Sequence, residues 1–449
     1  MNRRLTTVER TFLAMAERIV MNPVVMVRCR GVLDPDAVAA AIVAVQRRQP
    51  ALQLRLVRDP SPWFARAGVP DAPLRVIERR DAEHWREVVR DELNDPFEQE
   101  RGPLIRFVLV RGADACELIC TTDHLNADGR SGLFALRDVL LRVGDPEHRL
   151  IPLEDRGCFD ELLPAGLWDL GRIPRPVRGI LADHHRTLAR VVRGFVDERA
   201  RLRGQPAREL PLRPRIDFVH RRVDAARTQA LVEACRRHQT TVQGALMVAA
   251  SHALAHVRGL YQGRRARARI ACIAPIDVRS ALTPPVGDHF GIFAWAPTTI
   301  QPLAPGASFW DLADRNRRFL RGFHGQPALA GLRRLLDGHE LVLGTGLEPL
   351  SGLPLRACDG AITVSNLGRV ELPRELGEAR VESFGFFAMI PDGDAVVGVQ
   401  TLDELELNYC FTPARIPAPR VEALADAVGE ILDAAIGDDP RGAALSLRF

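Results

Sequence analysis

Two stretches of mixed helix and strand pattern, separated by a segment rich in proline and arginine, are the feature that most restricts the fold of this chain. Before residue 144, helical runs alternate with strands of period two, such as Val24 to Cys29, Ile105 to Val110 and Glu117 to Thr122. After residue 215 the same mixture returns, from the strand at Asp217 to Val223 to a closing helix at Arg420 to Ala435. Period-two strands interleaved with helical runs are typical of mixed α/β domains. The sequence therefore predicts two mixed lobes of similar size.

The segment between these stretches is the predicted linker. It contains Arg172-Ile-Pro-Arg-Pro-Val-Arg and Leu212-Arg-Pro-Arg, with a helix predicted from Arg178 to Arg203 between them. Proline clusters interrupt regular structure and favour a boundary. The predicted organisation is an N-terminal lobe over residues 1–175, a linker and helix over 176–215 and a C-terminal lobe over 216–449. Within the lobes, Trp63 to Ile77 is predicted to form a β-hairpin, and Phe290 to Thr299 a single buried strand.

Composition excludes several classes of protein. The formal net charge is only +4, which gives no indication of nucleic-acid binding. All 61 basic residues are arginine, so mechanisms that need a nucleophilic lysine are excluded. The N-terminus has no apolar segment typical of a signal peptide, and no run of about 18 apolar residues could span a membrane. The eight cysteines are scattered, as expected of buried thiols in a reducing compartment. The sequence predicts a cytoplasmic protein without a membrane span.

The stretch His124-Leu-Asn-Ala-Asp128-Gly129 is the strongest functional signal. It follows the apolar run Glu117 to Cys120, so a strand is predicted to end at a histidine. An imidazole with an unperturbed pKa of about 6.5 can accept a proton near neutral pH. The alternative is a loop histidine followed by a helix-capping aspartate, because a helical run from Leu133 to Leu141 comes next. The short pattern does not by itself decide between the two.

Other catalytic and metal motifs are missing. No Gly-x-Ser-x-Gly occurs, which argues against an α/β-type serine hydrolase. His252 and His256 have the spacing of a zinc-binding pair but no glutamate between them. Gly344-Thr-Gly346 lacks a third glycine, so no dinucleotide site is predicted. The adjacent His184 and His185 lie in the arginine-rich helix and are interpreted as solvated.

Seven short motifs occur in order along the chain: Arg48-Gln-Pro-Ala-Leu, Asp95-Pro-Phe-Glu-Gln-Glu-Arg-Gly-Pro-Leu-Ile-Arg, His124 to Gly129, Thr241-Val-Gln-Gly-Ala-Leu, Pro275-Ile-Asp-Val-Arg279, Gly287-Asp-His-Phe-Gly and Ser365-Asn366-Leu-Gly368. Together they resemble the condensation-domain and chloramphenicol-acetyltransferase-like superfamily. Within it, the likeness is greatest to stand-alone polyketide-associated acyltransferases of the phthiocerol dimycocerosyl transferase type. The resemblance covers residues 6 to 435. It implies an α/β (α+β sandwich) fold, in which two chloramphenicol-acetyltransferase-like lobes form a V with a central channel.

Two positions depart from the pattern of condensation domains. Those domains usually carry two adjacent histidines, and this chain has Asp123 where the first would stand. The early segment often has a second arginine, where this chain has Gln53. Both departures favour the acyltransferase branch over a peptide-bond-forming domain.

The resemblance implies transfer of an acyl group from a thioester to an alcohol or amine. His124 would be the general base, and the backbone N–H of Gly129 or the side chains of Ser365 and Asn366 would stabilise the oxyanion. A turn after strand 361–364 is the alternative role for Ser365 and Asn366. Asp128 would be structural and paired with an arginine, with Arg279 as first choice and Arg48 as second.

The implied partners are a thioester donor on phosphopantetheine, carried by acyl carrier protein or coenzyme A, and a small alcohol or amine acceptor. No bound cofactor and no metal are expected, and a monomer is predicted. Arginines at 172–215 or 315–321, including Arg317 and Arg318, are candidates for docking an acidic carrier protein, although a solvated surface explains them as well. Two other functions remain open: a stand-alone condensation domain that joins carrier-bound partners, and a non-catalytic module that recruits a carrier.

Overall fold

The computed structural model describes residues 2–59, 61–164, 213–260, 268–303, 307–325, 328–330, 332–333, 358–391 and 393–437. The helix predicted from Arg178 to Arg203 lies outside the described residues, as does most of the predicted linker. The predicted lobe boundaries at residues 175 and 216 therefore stay a prediction.

Helices and strands alternate in both halves of the chain. In the first half they are β1 (Arg3–Arg4), α1 (Thr7–Ala16), β2 (Val24–Arg30), α2 (Pro35–Arg48), β3 (Arg55–Val57), β4 (Trp63–Ala65), β5 (Leu74–Glu78), α3 (His84–Asn94), β6 (Ile105–Arg111), β7 (Ala115–Thr122), α4 (Gly129–Gly144) and α5 (Phe159–Leu162). In the second half they are β8 (Asp217–Val223), α6 (Ala225–Arg237), α7 (Val242–Val257), β9 (Ala268–Ile273), β10 (Ile276–Asp277), β11 (Ala294–Trp295), β12 (Thr298–Leu303), α8 (Phe309–Arg321), β13 (Gly360–Arg369), β14 (Glu375–Leu376), β15 (Ala379–Phe387), β16 (Ala395–Thr401), β17 (Leu405–Phe411) and α9 (Ala418–Ile436).

Each half is built on a six-stranded sheet. The first sheet has the order β14-β15-β2-β7-β6-β5, and the second has the order β12-β9-β13-β16-β17-β8. In the first sheet, only the edge pair β5 and β6 is parallel. In the second, β13 runs parallel to both of its neighbours, β9 and β16. Mixed sheets with helices on their faces agree with the predicted fold class.

Strand β15 belongs to the second half of the chain but completes the sheet of the first half. It pairs antiparallel with β2, from Phe387 opposite Val24 to Arg380 opposite Arg30. Side-chain amides of the second sheet also reach its backbone: Gln400 donates to the Phe384 carbonyl (2.9 Å) and Asn408 to the Phe386 carbonyl (3.1 Å). The two sheets are therefore tied together along β15.

The apolar cores follow this layered arrangement. One core packs α2 and α4 on the outer face of the first sheet. A second packs α6, α7, α8 and α9 on the outer face of the second sheet. A third lies between the lobes, where Trp85 and Val89 of α3 meet Val24, Phe218 and Val396 from both sheets. Burial of the facing sheet surfaces in one core holds the lobes against each other.

Two strand predictions are wrong. Trp63 to Ile77 is not a hairpin, because β4 pairs with β1 and β3, whereas β5 pairs with β6. Phe290 to Thr299 is not one strand, because only Ala294–Trp295 and Thr298–Leu303 are extended in sheets. Phe290 and Phe293 are apolar for another reason: they enter the cores of the first and the second lobe, respectively.

Candidate functional site

His124 lies in the short loop between the buried strand β7 and helix α4. Its backbone N–H donates to the Met21 carbonyl at 3.0 Å, which joins this loop to the segment before β2. Two residues on, the Asn126 side chain donates to the Ala51 carbonyl at 3.0 Å. Two backbone carbonyls from other parts of the first lobe therefore hold the loop in place.

The ring of His124 is fixed in one tautomer. Its Nδ1 lies 2.6 Å from the Ala127 carbonyl oxygen. Because a carbonyl can only accept, Nδ1 carries the proton and Nε2 keeps its lone pair. Across the described residues, no group hydrogen-bonds to Nε2. The ring of Phe12 stacks on the imidazole with a centroid separation of 4.3 Å.

Burial keeps this imidazole neutral. Loss of water lowers the pKa of His124, against the opposing influence of the Ala127 carbonyl and of the Asp128 carboxylate. A histidine with a lowered pKa is unprotonated at pH 7 and can act as a base. Because Nδ1–H is bonded to the Ala127 carbonyl, the basic nitrogen Nε2 faces away from the loop backbone.

Asp128 and Arg279, which the sequence suggested as partners, form a bidentate ion pair. Arg279 Nη1 lies 2.8 Å from Asp128 Oδ2, and Nη2 lies 3.0 Å from Oδ1. Each residue is only 3% exposed. Burial alone would raise the pKa of Asp128, but the charge and hydrogen bonds of Arg279 outweigh it and hold that pKa below its usual value. Arg48, the second choice, pairs instead with Asp138 at 3.0 Å.

Asp128 is at the same time the N-cap of α4, so the capping interpretation and the ion-pair interpretation both apply. Its Oδ1 accepts from the Ser131 backbone N–H at 2.9 Å, and its Oδ2 from the Phe293 N–H at 2.9 Å. The Ser131 hydroxyl donates to the Gly291 carbonyl at 2.7 Å. Every lone pair on the buried carboxylate thus faces a donor, as a buried charge requires.

These bonds attach the loop after β7 to residues 278–293, which we call the interlobe segment. Further bonds attach the same segment to the first lobe. Gln49 accepts from the Phe290 N–H at 3.0 Å, Arg137 pairs with Asp288 at 2.7 Å, and His289 donates to the Glu154 carbonyl at 3.0 Å. The position of His124 is therefore set by both lobes.

Gly129, the first residue of α4, lies against the side chain of Phe386 in β15. A Cβ atom placed there would lie 2.8 Å from the ring of Phe386 and 3.3 Å from the side chain of Leu367. The close approach explains a glycine at this position. It also brings the end of β13, which carries Ser365 and Asn366, next to the N-terminus of α4, where the Arg130 side chain donates to the Leu367 carbonyl at 3.4 Å.

Asn366 takes part in a turn. Its Oδ1 accepts from the Gly368 N–H at 2.7 Å, and Gly368 has a positive φ of 77°. Ser365 is half-buried on the same strand. The structure thus places both residues close to the start of α4, and an oxyanion role for either stays a prediction.

The chain was compared with known families and structures. A family described as the C-terminus of phthiocerol/phthiodiolone dimycocerosyl transferase matches residues 213–322. Polyketide synthase associated protein 5 from Mycobacterium tuberculosis has a TM-score of 0.63 at 16% identity, over 96% of this chain and 98% of that one. The first condensation domain of the CDA synthetase has a TM-score of 0.64 at 16% identity, over 98% and 97%. No curated protein sequence matches significantly.

Trichothecene 15-O-acetyltransferase from Fusarium sporotrichioides has a TM-score of 0.67 at 13% identity, over 97% of this chain and 95% of that one. The chain has the condensation-domain and chloramphenicol-acetyltransferase-like fold. The fold class predicted from the sequence is thereby confirmed. The family match over residues 213–322 agrees with the superfamily that the sequence suggested.

The departure of this chain from the condensation-domain pattern has a structural counterpart. Asp123, which stands where the first of two histidines is usual, is buried at 6% exposure. It accepts from Gln99 Nε2 at 2.8 Å and from the Leu125 N–H at 2.9 Å. Burial raises the pKa of Asp123. The sequence indicated that a histidine was missing here but not that a carboxylate would be buried in its place.

The remaining candidates from the sequence either form ion pairs on the surface of a helix or lie outside the described residues. Arg317 and Arg318 on α8 both pair with Asp314, at 2.5 and 3.0 Å. The pair His184 and His185 lies outside the described residues. In the part of the chain that the structure describes, no three histidine, cysteine or carboxylate side chains are grouped so that they could hold a metal ion. Within the same ranges no helix is both long and apolar enough to cross a membrane.

Proposed function

We propose that this protein transfers an acyl group from a thioester to a hydroxyl or amine acceptor, with His124 as general base. The observation that carries the proposal is the bond from His124 Nδ1–H to the Ala127 carbonyl, which leaves the lone pair of Nε2 available. Burial, which lowers the pKa of His124, supports a neutral base at pH 7. The similarity to acyltransferases and condensation domains supports the same chemistry.

In the proposed reaction, Nε2 takes the proton of the acceptor hydroxyl or amine as its oxygen or nitrogen attacks the thioester carbonyl. The tetrahedral intermediate collapses, the carbon–sulfur bond breaks, and the leaving thiolate takes the proton from Nε2. The ester or amide and a free thiol are the products, and the enzyme returns to its starting state. A general base of this kind accelerates the reaction by about 10²–10⁴-fold.

The developing oxyanion needs preorganised donors. The backbone N–H of Gly129 at the N-terminus of α4 and the side chains of Ser365 and Asn366 are the proposed ones. The amide nitrogen of Asn366 is suited to this, because its Oδ1 is already used by Gly368.

The donor is proposed to be a phosphopantetheine thioester on acyl carrier protein or coenzyme A, with no resident cofactor. We also propose that the protein is a monomer, because the two lobes of one chain build the site, and that it acts in the cytoplasm. Asp128 and Arg279 would position the loop of His124 and take no part in proton transfer.

Thiol release from a panel of acyl-coenzyme A and acyl-pantetheine thioesters, with pooled alcohol and amine acceptors, tests the proposal. We expect the wild type to release thiol only when an acceptor is present. His124→Ala should lower the rate of release by about 10²-fold or more. His324→Ala, which replaces an exposed histidine after α8, is the control and should release thiol at the wild-type rate. Equal release by wild type and His124→Ala would remove His124 as the base. No release with the pooled free acceptors, but release when the acceptor amine is supplied on a carrier protein in a second panel, would favour a condensation domain.

A further inference from the structure

A cavity of about 500 Å³ lies beside the loop of His124. Leu13 and Ala16 of α1, Met21 and the loop around Phe97 form its walls, and Asp123 lies in its lining. Met21 accepts the backbone N–H of His124, so the cavity reaches the residues that hold the proposed base. A volume of this size suits a small organic molecule.

With Asp123, the lining of this cavity holds one more carboxylate than guanidinium groups. The other ionisable residues of its lining balance, three carboxylates against three guanidiniums: Glu17, Glu98, Glu100, Arg58, Arg101 and Arg213. Two of these arginines are already paired, Arg58 with Glu100 at 2.6 Å and Arg101 with Glu98 at 3.5 Å. Glu17, Asp123 and Arg213 remain outside these pairs, and of the two carboxylates Glu17 is exposed whereas Asp123 is buried.

The partners of Asp123 are neutral. The Gln99 amide and the Leu125 N–H donate to it, and among the described residues no arginine or histidine nitrogen lies within 4.0 Å of its oxygens. A buried carboxylate without a cation in contact is costly, and burial raises the pKa of Asp123, although its hydrogen bonds and the more distant charges of Arg106 and Arg58 oppose that rise. A positively charged group in the cavity would remove this cost.

From the isolated carboxylate of Asp123 in the lining of this cavity, we infer that the cavity binds a cationic group of the acceptor, an ammonium carried by an amino alcohol or a polyamine. The inference rests on the proposed acyl transfer and names its acceptor class. The donor is the less suitable occupant, because the phosphate of its pantetheine arm would be repelled by a buried carboxylate. Asp123 would thus be a specificity-determining residue next to the base.

Matched acceptors test the inference with the full-length protein. The first pair is choline and its neutral isostere dimethylbutanol, in which carbon replaces the charged nitrogen and only the hydroxyl can be acylated. The second is an aminoalkanol and the alkanol in which a methyl group replaces the ammonium. We expect the wild type to prefer each cationic acceptor by about tenfold or more in kcat/KM, mainly through a lower KM. A tenfold preference corresponds to about 1.4 kcal/mol.

Asp123→Asn is expected to abolish this preference, so that the cationic and the neutral member of each pair give the same kcat/KM within about twofold. Glu98→Gln, which neutralises a rim carboxylate of the same cavity, is the matched control and should keep the preference. If Asp123→Asn folds poorly, Asp123→His assayed above pH 8 places a neutral ring at the position and should also lose the preference.

The outcomes separate this inference from the proposed function. Transfer by the wild type without preference for cationic acceptors overturns the inference and leaves the acyl transfer intact. A preference that survives in Asp123→Asn overturns it as well. Failure of the wild type to acylate any acceptor overturns the proposed function and the inference with it.

Discussion

At the scale of single residues, the protonation state of His124 depends on a contact between distant parts of the chain. Phe12 of α1 stacks on the imidazole at 4.3 Å and covers one face of it. The main cause of the lowered pKa is the loss of water around the ring. The aromatic cover and the Ala127 carbonyl therefore have different effects, since one excludes water and the other fixes the tautomer.

Replacing Phe12 should change the pH dependence of the reaction. The base works only when neutral, so the acid limb of kcat/KM reports the pKa of His124, which lies below the usual value of about 6.5. Phe12→Ala admits water, raises this pKa toward 6.5 and moves the acid limb to higher pH. Phe12→Leu keeps an apolar cover and should move it less. An acid limb unchanged in Phe12→Ala would contradict the assigned role of the ring.

The sequence was most informative where function and local chemistry coincide. His124, Asp128 and Arg279 stand in short motifs, and the structure brings the latter two into contact. Phe12 could not be predicted, because an aromatic residue on an amphipathic helix indicates only a buried face. The sequence shows that residue 123 is an aspartate. It does not show that this side chain is buried without an ion-pair partner, because that depends on how Gln99 and α1 pack around it.

At the scale of elements, the start of α4 is connected to the interlobe segment by one buried ion pair. Asp128 caps the helix and pairs with Arg279, and Ser131 bonds both the cap and Gly291. The ring of Phe293 lies 4.8 Å from the guanidinium and adds a cation–π contact. The pair therefore fixes the loop of His124 relative to the second lobe.

Breaking this pair should reduce stability as well as activity. Asp128→Ala removes the bidentate partner of the buried Arg279 and leaves it only Asp277, at 3.1 Å, as a charged partner. Breaking a buried pair in this way costs about 3–5 kcal/mol, so we expect lower soluble yield and a lower Tm. Arg279→Met should cost a similar amount, and the double variant less than the sum of the two. Since the folded pKa of Asp128 is lowered, the contribution of the pair is present above the unfolded pKa of about 3.9. It is lost as the pH falls through the folded pKa.

Thermal unfolding of the three variants from pH 3 to pH 8 measures both effects. Arg48→Met is a control that removes a different arginine, one that pairs with Asp138 within the first lobe. A wild-type Tm in Asp128→Ala would refute the structural role of the pair. Additive losses in the double variant would mean that the two side chains stabilise the fold independently.

Elements with a clear period were predictable, whereas their pairing was less so. The strands at Asp217–Val223 and Leu405–Phe411 and the hairpin of β6 and β7 follow from alternation and turn residues. The false hairpin at Trp63 to Ile77 arose because two neighbouring strands were assumed to pair with each other. β5 instead pairs with β6 in parallel, and a parallel pairing has no local turn to indicate it.

At the scale of the whole molecule, the first sheet is built from strands of both halves of the chain. β15 is an inner strand of the first sheet, between β14 and β2, although it lies between β13 and β16 in the sequence. The sequence predicted β15 as a strand but not its sheet, because strand membership in a mixed fold depends on long-range contacts. The third core adds apolar burial between the lobes.

The insertion of β15 into the first sheet predicts that the protein unfolds in a single cooperative transition, even though chains with two lobes often unfold in steps. Phe384 of β15 is fully buried in the core of the first lobe, and Phe411 of β17 is fully buried in the core of the second. Each Phe→Ala change should cost about 3–5 kcal/mol. With coupled lobes, both variants lower the Tm of the same calorimetric transition. If Phe384→Ala shifted one of two resolved transitions and Phe411→Ala the other, the lobes would be independent units and β15 would not couple them.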